Sequence, residues 1–332
     1  MTLHRITLTR RAVLAGAAAA LAAPTIARAQ ATTWRLGTQM PTDHPIHFGV
    51  VKVAEEVQRR SNGRLRIDVF PAGQLGTGVE MDQQVSDGSL EFALDGPGQL
   101  GSWVRTLTIF EAPFISRDWD HLVKMVNSDW GQAQFRTLAS QRNMQKVGPA
   151  WYYGTRHLTT RDRAVRVPAD ARGLKIRVPA VPTFLEMIRA IGATPTPMAL
   201  AEVYLSLQTG VADGQENPLP TIAAQKFYEV QRFLNLTGHI ITPQITFMNA
   251  RLYNSLPDAD KEILAASFAE GGRVNDQKFR EMEGSLIADF RQRGMTIVES
   301  DRPAFQQAMA PVYPRFEEIW GRGIADQLRA IQ

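Results

Sequence analysis

Residues 34–69 read WRLGTQMPTDHPIHFGVVKVAEEVQRRSNGRLRIDV. Residues 34–38 are a short strand candidate. Ile46, Val50, Val53 and Val57 then recur at the spacing of one helix face, and that helix stops at Asn62-Gly63. Leu65, Ile67 and Val69 alternate, the period of a half-buried strand. Strand, helix and strand at this spacing make a βαβ unit, the building block of α/β folds.

The same alternation of periods runs outward along the chain. A short helix is predicted over 79–85, a strand over 90–94, a helix from about 117 to 140, and strands over 146–153. A second α/β run follows, with a strand over 174–178, a helix after Pro182, another over 199–209, and strands over 230–236 and 244–249. Near the C-terminus, Pro257 opens a helical segment reaching about residue 293, with Ile263, Leu264, Phe268, Phe279, Met282, Ile287 and Phe290 as its apolar positions. A single helix of that length extends about 50 Å, more than one small domain, and would brace two lobes. Gly271-Gly272 in its middle leaves two shorter helices as the alternative.

Residues 1–29 have a polar start carrying Arg5, Arg10 and Arg11, an apolar core over 12–23 and the small-residue site Ala27-Arg28-Ala29, the pattern of a cleaved secretory signal. Its Ala-rich apolar run, interrupted by Pro24, falls short of the roughly twenty residues a spanning helix needs, so no stable membrane anchor is expected. Thr9-Arg10-Arg11-Ala12-Val13-Leu14 resembles the twin-arginine export signal, Sec export of a chain with a chance arginine pair being the alternative. Loss of this segment removes four arginines and no acidic residue, so the net charge falls from +4 to about 0. No positive field remains to gather nucleic acid or anionic lipid, and no nucleic-acid partner is expected. The remaining 303 residues exceed the size at which one core stops growing, so two lobes are expected. Cys is absent, which excludes thiol catalysis and thiolate metal sites.

Three segments could carry ligand chemistry. In Gly173-Leu-Lys-Ile-Arg-Val-Pro179 the apolar residues face a core, so Arg177 projects from the other face near the strand end, where ligands gather in open α/β sheets. Its planar fork suits a carboxylate, a solvated surface arginine being the alternative. Arg156 follows the aromatic run 151–153 and a glycine; it suits a small organic anion or a place in a core. Asn217 precedes a proline and is therefore extended; it would cap a helix beginning at Pro218, or contact an anion at that helix's N-terminus. Gly96-Pro-Gly-Gln-Leu-Gly101 fits a dinucleotide-binding pattern, but Pro97 removes a backbone donor. Asp43, His44 and His47 lack a third metal ligand at suitable spacing.

Pro71-Ala-Gly-Gln-Leu-Gly76, Gly173–Pro179, Gly192-Ala-Thr-Pro-Thr-Pro-Met198, Glu202-Val-Tyr-Leu-Ser-Leu-Gln-Thr-Gly210 and Asp213-Gly-Gln-Glu-Asn-Pro218, in this order, resemble the DctP-type solute-binding proteins of tripartite ATP-independent periplasmic (TRAP) transporters. The resemblance implies a two-lobed α/β periplasmic-binding-protein fold with a cleft between the lobes and a long bracing helix. Lobe I would hold residues 32–153 and about 243–283, and lobe II residues 154–242 and about 284–330. It implies that Arg177 is the principal carboxylate-gripping arginine, Arg156 the secondary one, Asn217 a ligand-binding amide, Gln39 a polar contact from the first lobe and Tyr153 part of the wall. It further implies capture of a small organic acid in the periplasm and delivery to the TRAP permease membrane subunits, with no catalysis and no cofactor or metal. Leu200 and Gly96 depart from a Phe and an acidic residue in some relatives, and leave the identity of the acid open. A periplasmic hydrolase or isomerase, and a subunit presenting ligand to a sensor kinase, are the rival readings.

Overall fold

The computed structural model describes residues 31–332; the export-signal reading of residues 1–29 lies outside the described residues. The opening βαβ unit forms as its periodicities dictate. Strands β1 (Thr32–Gly37) and β2 (Leu65–Phe70) pair in parallel, Trp34 beside Ile67, and helix α1 (Pro45–Arg60) crosses between them, burying Ile46, Gly49, Val50, Val53 and Val57. The His44 side chain caps α1 by accepting the Ile46 N–H at 3.2 Å. Helix α2 (Gly78–Asp87) opens with a reciprocal capping box between Thr77 and Glu80. It leads to β3 (Phe92–Asp95), parallel to β1, and to the single turn α3 (Pro97–Leu100).

The helix expected over 117–140 is two, α4 (Trp119–Asn127) and α5 (Asp129–Arg142). Ser128 separates them: its backbone is extended and its hydroxyl accepts the Gly131 N–H at 3.1 Å, so one residue ends the first helix and caps the second. Next come β4 (Met144–Lys146), β5 (Trp151–Thr160), β6 (Lys175–Val178), α6 (Pro182–Ala190) and β7 (Thr194–Pro197). The helix expected over 199–209 is a 3₁₀ turn at Leu200–Glu202 followed by α7 (Val203–Thr209). It precedes β8 (Gly214–Pro218) and the short α8 (Leu219–Ala224).

The two strands expected over 230–236 and 244–249 are one 17-residue strand, β9 (Phe233–Asn249). After a short α9 (Ala250–Ser255) comes α10 (Asp258–Gln292), then β10 (Thr296–Val298) and the C-terminal helices α11 (Arg302–Met309), α12 (Val312–Trp320) and α13 (Ile324–Arg329). The sheet order is β2-β1-β3-β9-β5-β8-β6-β7, with β4 and β10 also on β9. One end of β9 pairs antiparallel with β3, and its other end lies beside β5 and β10. The result is a two-lobed α/β fold with a cleft between lobes, joined by β5, β9 and α10.

Helix α10 runs unbroken for 35 residues through Gly271-Gly272. Its first part places Leu264, Phe268 and Phe279 in the core of β1, α1, β2 and Trp151; its last part places Leu286 and Phe290 in the core of Val203, Leu207, Ile222 and Phe227. The glycines are there for contact. A Cβ on Gly271 would lie 2.6 Å from the Gly49 carbonyl oxygen of α1, and one on Gly272 would lie 2.7 Å from Trp151 Nε1. Trp151 Nε1 also donates to the Phe268 carbonyl at 3.0 Å. Alanine at position 271 gains about 1 kcal/mol of helix propensity but forces apart two backbones in a packed core, an overpacking cost of about 1–3 kcal/mol or more. Gly271→Ala is therefore expected to lower the melting temperature by a few degrees in a thermal scan. A higher melting temperature would show that α1 and α10 have slack at this crossing.

Candidate ligand-binding site

A cavity of about 350 Å³ opens between the two halves of the sheet, within the range of small-molecule sites. Gln39, Tyr153, Arg156, Arg177 and Asn217 all line it. The five residues singled out in the sequence thus converge from β5, β6, β8 and the loop after β1.

Arg177 is not the solvated surface residue of the alternative reading. It lies in β6, 3% exposed, and Pro179 just beyond the strand also lines the cavity. Its Nε and Nη2 donate to the Met198 carbonyl, at 3.2 and 2.7 Å, on the loop that follows β7. None of the ion pairs among the described residues includes Arg177. Burial pulls its pKa down to about 10, so it remains cationic at neutral pH, with Nη1 uncommitted.

Arg156 differs in kind. Its Nε meets Glu216 Oε2 at 2.5 Å and its Nη2 meets Oε1 at 2.8 Å, a bidentate pair that leaves both side chains buried. Nη2 also donates to the Glu216 carbonyl and to Asn217 Oδ1, and the guanidinium lies 5.3 Å from the Phe184 ring centroid. Burial lowers the Arg156 pKa, yet Glu216 outweighs it and holds the group above its ordinary value. Burial likewise pushes Glu216 up, and Arg156 with His239 pulls it back below the usual carboxylate range. His239 Nε2 stands 3.2 Å from Glu216 Oε2. The charge of Arg156 is thus already balanced, and the uncompensated cation in the cavity is Arg177. Glu216 is the partner that sequence reasoning missed: antiparallel pairing of β5 with β8, in which Arg156 stands opposite Pro218, brings together residues sixty positions apart.

Asn217 is not a helix cap. It belongs to β8, and Pro218 takes the cap position of α8 without a side-chain bond. Its amide accepts from Arg156 and donates to Gln215 Oε1 at 2.6 Å, and Gln215 donates onward to Thr159. Tyr153 is 4% exposed, and its hydroxyl accepts from Thr221 at 3.0 Å while His44 Nε2 lies 3.1 Å from the same Thr221 hydroxyl. Tyr153 is therefore held by α8, and His44 is committed to capping and to Thr221. No group of three or more metal-ligating side chains occurs among the described residues.

Two further acidic residues line the cavity, Asp95 at the end of β3 and Glu111. Glu111 stands in the apolar run Leu107-Thr-Ile-Phe-Glu-Ala-Pro113, a context that signals a buried carboxyl. Asp95, ahead of the glycine-rich turn, carries no such mark. That turn does not cradle a phosphate: the Gly98 N–H donates to Glu111 Oε2 at 2.6 Å.

Comparison with known proteins identifies the family. Residues 36–319 match the family described as bacterial extracellular solute-binding protein, family 7 (DctP). The chain is 34% identical over 301 residues to the sialic acid-binding periplasmic protein SiaP of Vibrio cholerae, covering 91% of this chain and 93% of the relative. The crystal structure of a TRAP periplasmic solute-binding protein from Polaromonas, bound to D-erythronate, superposes with a TM-score of 0.86 at 29% identity, covering 91% of this chain and 99% of that one. A counterpart from Roseobacter denitrificans with bound L-galactonate gives 0.85 at 29% identity, covering 90% and 99%. No helix among the described residues is long and apolar enough to cross a membrane. With its two-lobed fold, cleft and buried arginines, the chain belongs to the DctP family of extracellular solute-binding proteins, which bind solutes and are not enzymes.

Proposed function

We propose that this protein captures a small organic acid in the periplasm, holds its carboxylate on Arg177, and delivers it to TRAP permease membrane subunits for uptake. The observation that carries the reading is the state of Arg177: a buried cation, facing a ligand-sized cavity, with a carbonyl but no carboxylate as partner. A buried charge is tolerated when an anion joins it, and a carboxylate supplies two acceptor oxygens for a planar donor fork. The relatives' ligands, sialic acid, D-erythronate and L-galactonate, are carboxylic acids as well.

In this reading Asn217 and the free edge of Arg156 contact the ligand beside Arg177, Gln39 reaches it from the first lobe, and Tyr153 forms the wall. Lobe I comprises residues 32–153 and about 243–283, and lobe II residues 154–242 and about 284–330, with residues 1–29 directing export. No cofactor enters, since the work is capture, closure and release.

Two experiments test the assignment. A cognate acid at a hundred times its Kd should stabilise the protein by about 2.7 kcal/mol, seen as a melting shift that the corresponding neutral amide does not produce. Equal shifts from acid and amide would remove the carboxylate clamp. The second contrasts the two arginines. Arg177→Ala should weaken binding by about two to four decades, the equivalent of about 3–5 kcal/mol, and Arg177→Lys should weaken it as well because an ammonium lacks the fork. Neither should lower the melting temperature of the ligand-free protein. Glu216→Gln, by contrast, strands Arg156 in the interior and should cost about 3–5 kcal/mol of folding stability. Near-native stability in Glu216→Gln, or near-native affinity in Arg177→Ala, would remove the role given to the substituted residue.

A further inference from the structure

The wall of the cavity contributed by the β1–β3 half is acidic in a way that capture of a carboxylate alone does not require. Asp95 and Glu111 line the cavity, and Asp82 on α2 lies behind Asp95, 1% exposed with neither carboxyl oxygen partnered. Among the described residues, no ion pair includes any of the three. Backbone N–H groups hold one oxygen of each lining carboxyl: Gly96 donates to Asp95 Oδ1 at 2.7 Å, and Gly98 to Glu111 Oε2 at 2.6 Å. Each donor favours the ionised, accepting form of its carboxyl, and burial outweighs it at both. The second oxygens are left over. Asp95 Oδ2 is buried without a partner, and it lies where a Cβ on the cavity-lining Gly78 would come within 2.6 Å of it. Glu111 Oε1 has no hydrogen-bond partner among the described residues.

The cavity is thus lined by one cation without a carboxylate partner, Arg177 in β6, and on the β3 side by two carboxyls without an ion pair, Asp95 and Glu111, the latter also within the field of Arg156. A ligand that places its carboxylate on Arg177 shares the cavity with Asp95 and Glu111. A second carboxylate there would add a like charge beside buried carboxylates, whose mutual repulsion in a low-dielectric site is worth kilocalories rather than tenths. A hydroxyl or ammonium group would donate to the orphaned oxygens.

Resting on the carboxylate-binding reading of the same cavity, we infer that Asp95 and Glu111 form a donor-selective subsite. They admit acids whose far end carries hydroxyl or ammonium donors and reject dicarboxylates. The ligand is then a hydroxy- or amino-substituted monocarboxylate. Burial raises both carboxyls to about 7, with Arg156 pulling Glu111 down, Asp95 and Glu216 pushing it up, and Asp82 standing against Asp95; the selectivity is fullest above that pH, where both accept.

Calorimetric titration at pH 8 with two length-matched series decides the matter: trihydroxybutanoate, 4-aminobutanoate and succinate at four carbons, and gluconate, 6-aminohexanoate and adipate at six. The hydroxy or the amino acid of the series that fits should bind at least tenfold more tightly than its dicarboxylate. Which of the two leads identifies the donor as hydroxyl or ammonium. Asp95→Asn and Glu111→Gln, made singly, should each narrow the ratio by weakening the donor-ended acid and strengthening the dicarboxylate. A dicarboxylate that binds as well as its partners, or a ratio untouched by both substitutions, overturns the subsite while leaving the clamp on Arg177 intact. If neither these acids nor any other carboxylate shifts the melting temperature beyond its neutral amide, the carboxylate-binding reading falls, and the subsite falls with it.

Discussion

An arginine taken out of water costs several kcal/mol unless an anion accompanies it. This chain buries two arginines against one cavity and supplies a carboxylate for one of them. Glu216 engages Arg156 through two hydrogen bonds and is itself braced by His239, while Thr237 lies 2.7 Å from the far nitrogen of that histidine. This pair ties β5 to β8, fixes the strand carrying Asn217, and satisfies the other arginine of the cavity. Without it two bare cations would stand in the cavity. With it the site carries one cation whose position is set by the Met198 carbonyl. The stability of the cleft and its appetite for an anion thus fall to different arginines.

The opposite wall shows the same economy with the sign reversed. Carboxyl groups at Asp95 and Glu111 are held by backbone N–H groups rather than by lysine or arginine. A basic side chain would neutralise them and fill the space; a peptide N–H fixes one oxygen and leaves the other without a hydrogen-bond partner. Gly78 and Gly98 make this possible, since a Cβ at either position would crowd Asp95 or Glu111.

How much of this was legible in the sequence depended on whether the cause was local. The β1–α1–β2 unit was, because its periods of two and near four are written in consecutive residues. Arg177 was, because alternation in a four-residue strand sends it away from the core. The continuity of α10 was expected but not decided, since a glycine pair can end a helix or let two helices touch, and only the approach of Gly49 and Trp151 distinguishes the two. Ser128 was missed because serine leaves helical periodicity intact while capping from within. The length of β9 was missed because Thr237-Gly238-His239 interrupts its apolar pattern where the chain passes from one half of the sheet to the other; there Gly238 takes a φ of 55°. The pairing of Arg156 with Glu216 depends on register between strands far apart in sequence, which no local pattern encodes. Asn217 was open to two readings because extended backbone before proline serves a strand end and a helix cap alike.

Strand β9 occupies the centre of the sheet but arrives late in the sequence. Before Phe233 is made, the strands already synthesised belong to two groups, β2-β1-β3 and β5-β8-β6-β7, whose inner strands, the four-residue β3 and the ten-residue β5, still lack their shared neighbour. Open edges of this kind recruit other strands. The nascent chain therefore carries the β3 edge from early in its synthesis and both edges once β8 is complete at Pro218. A single segment, made when more than two thirds of the protein already exists, closes both at once.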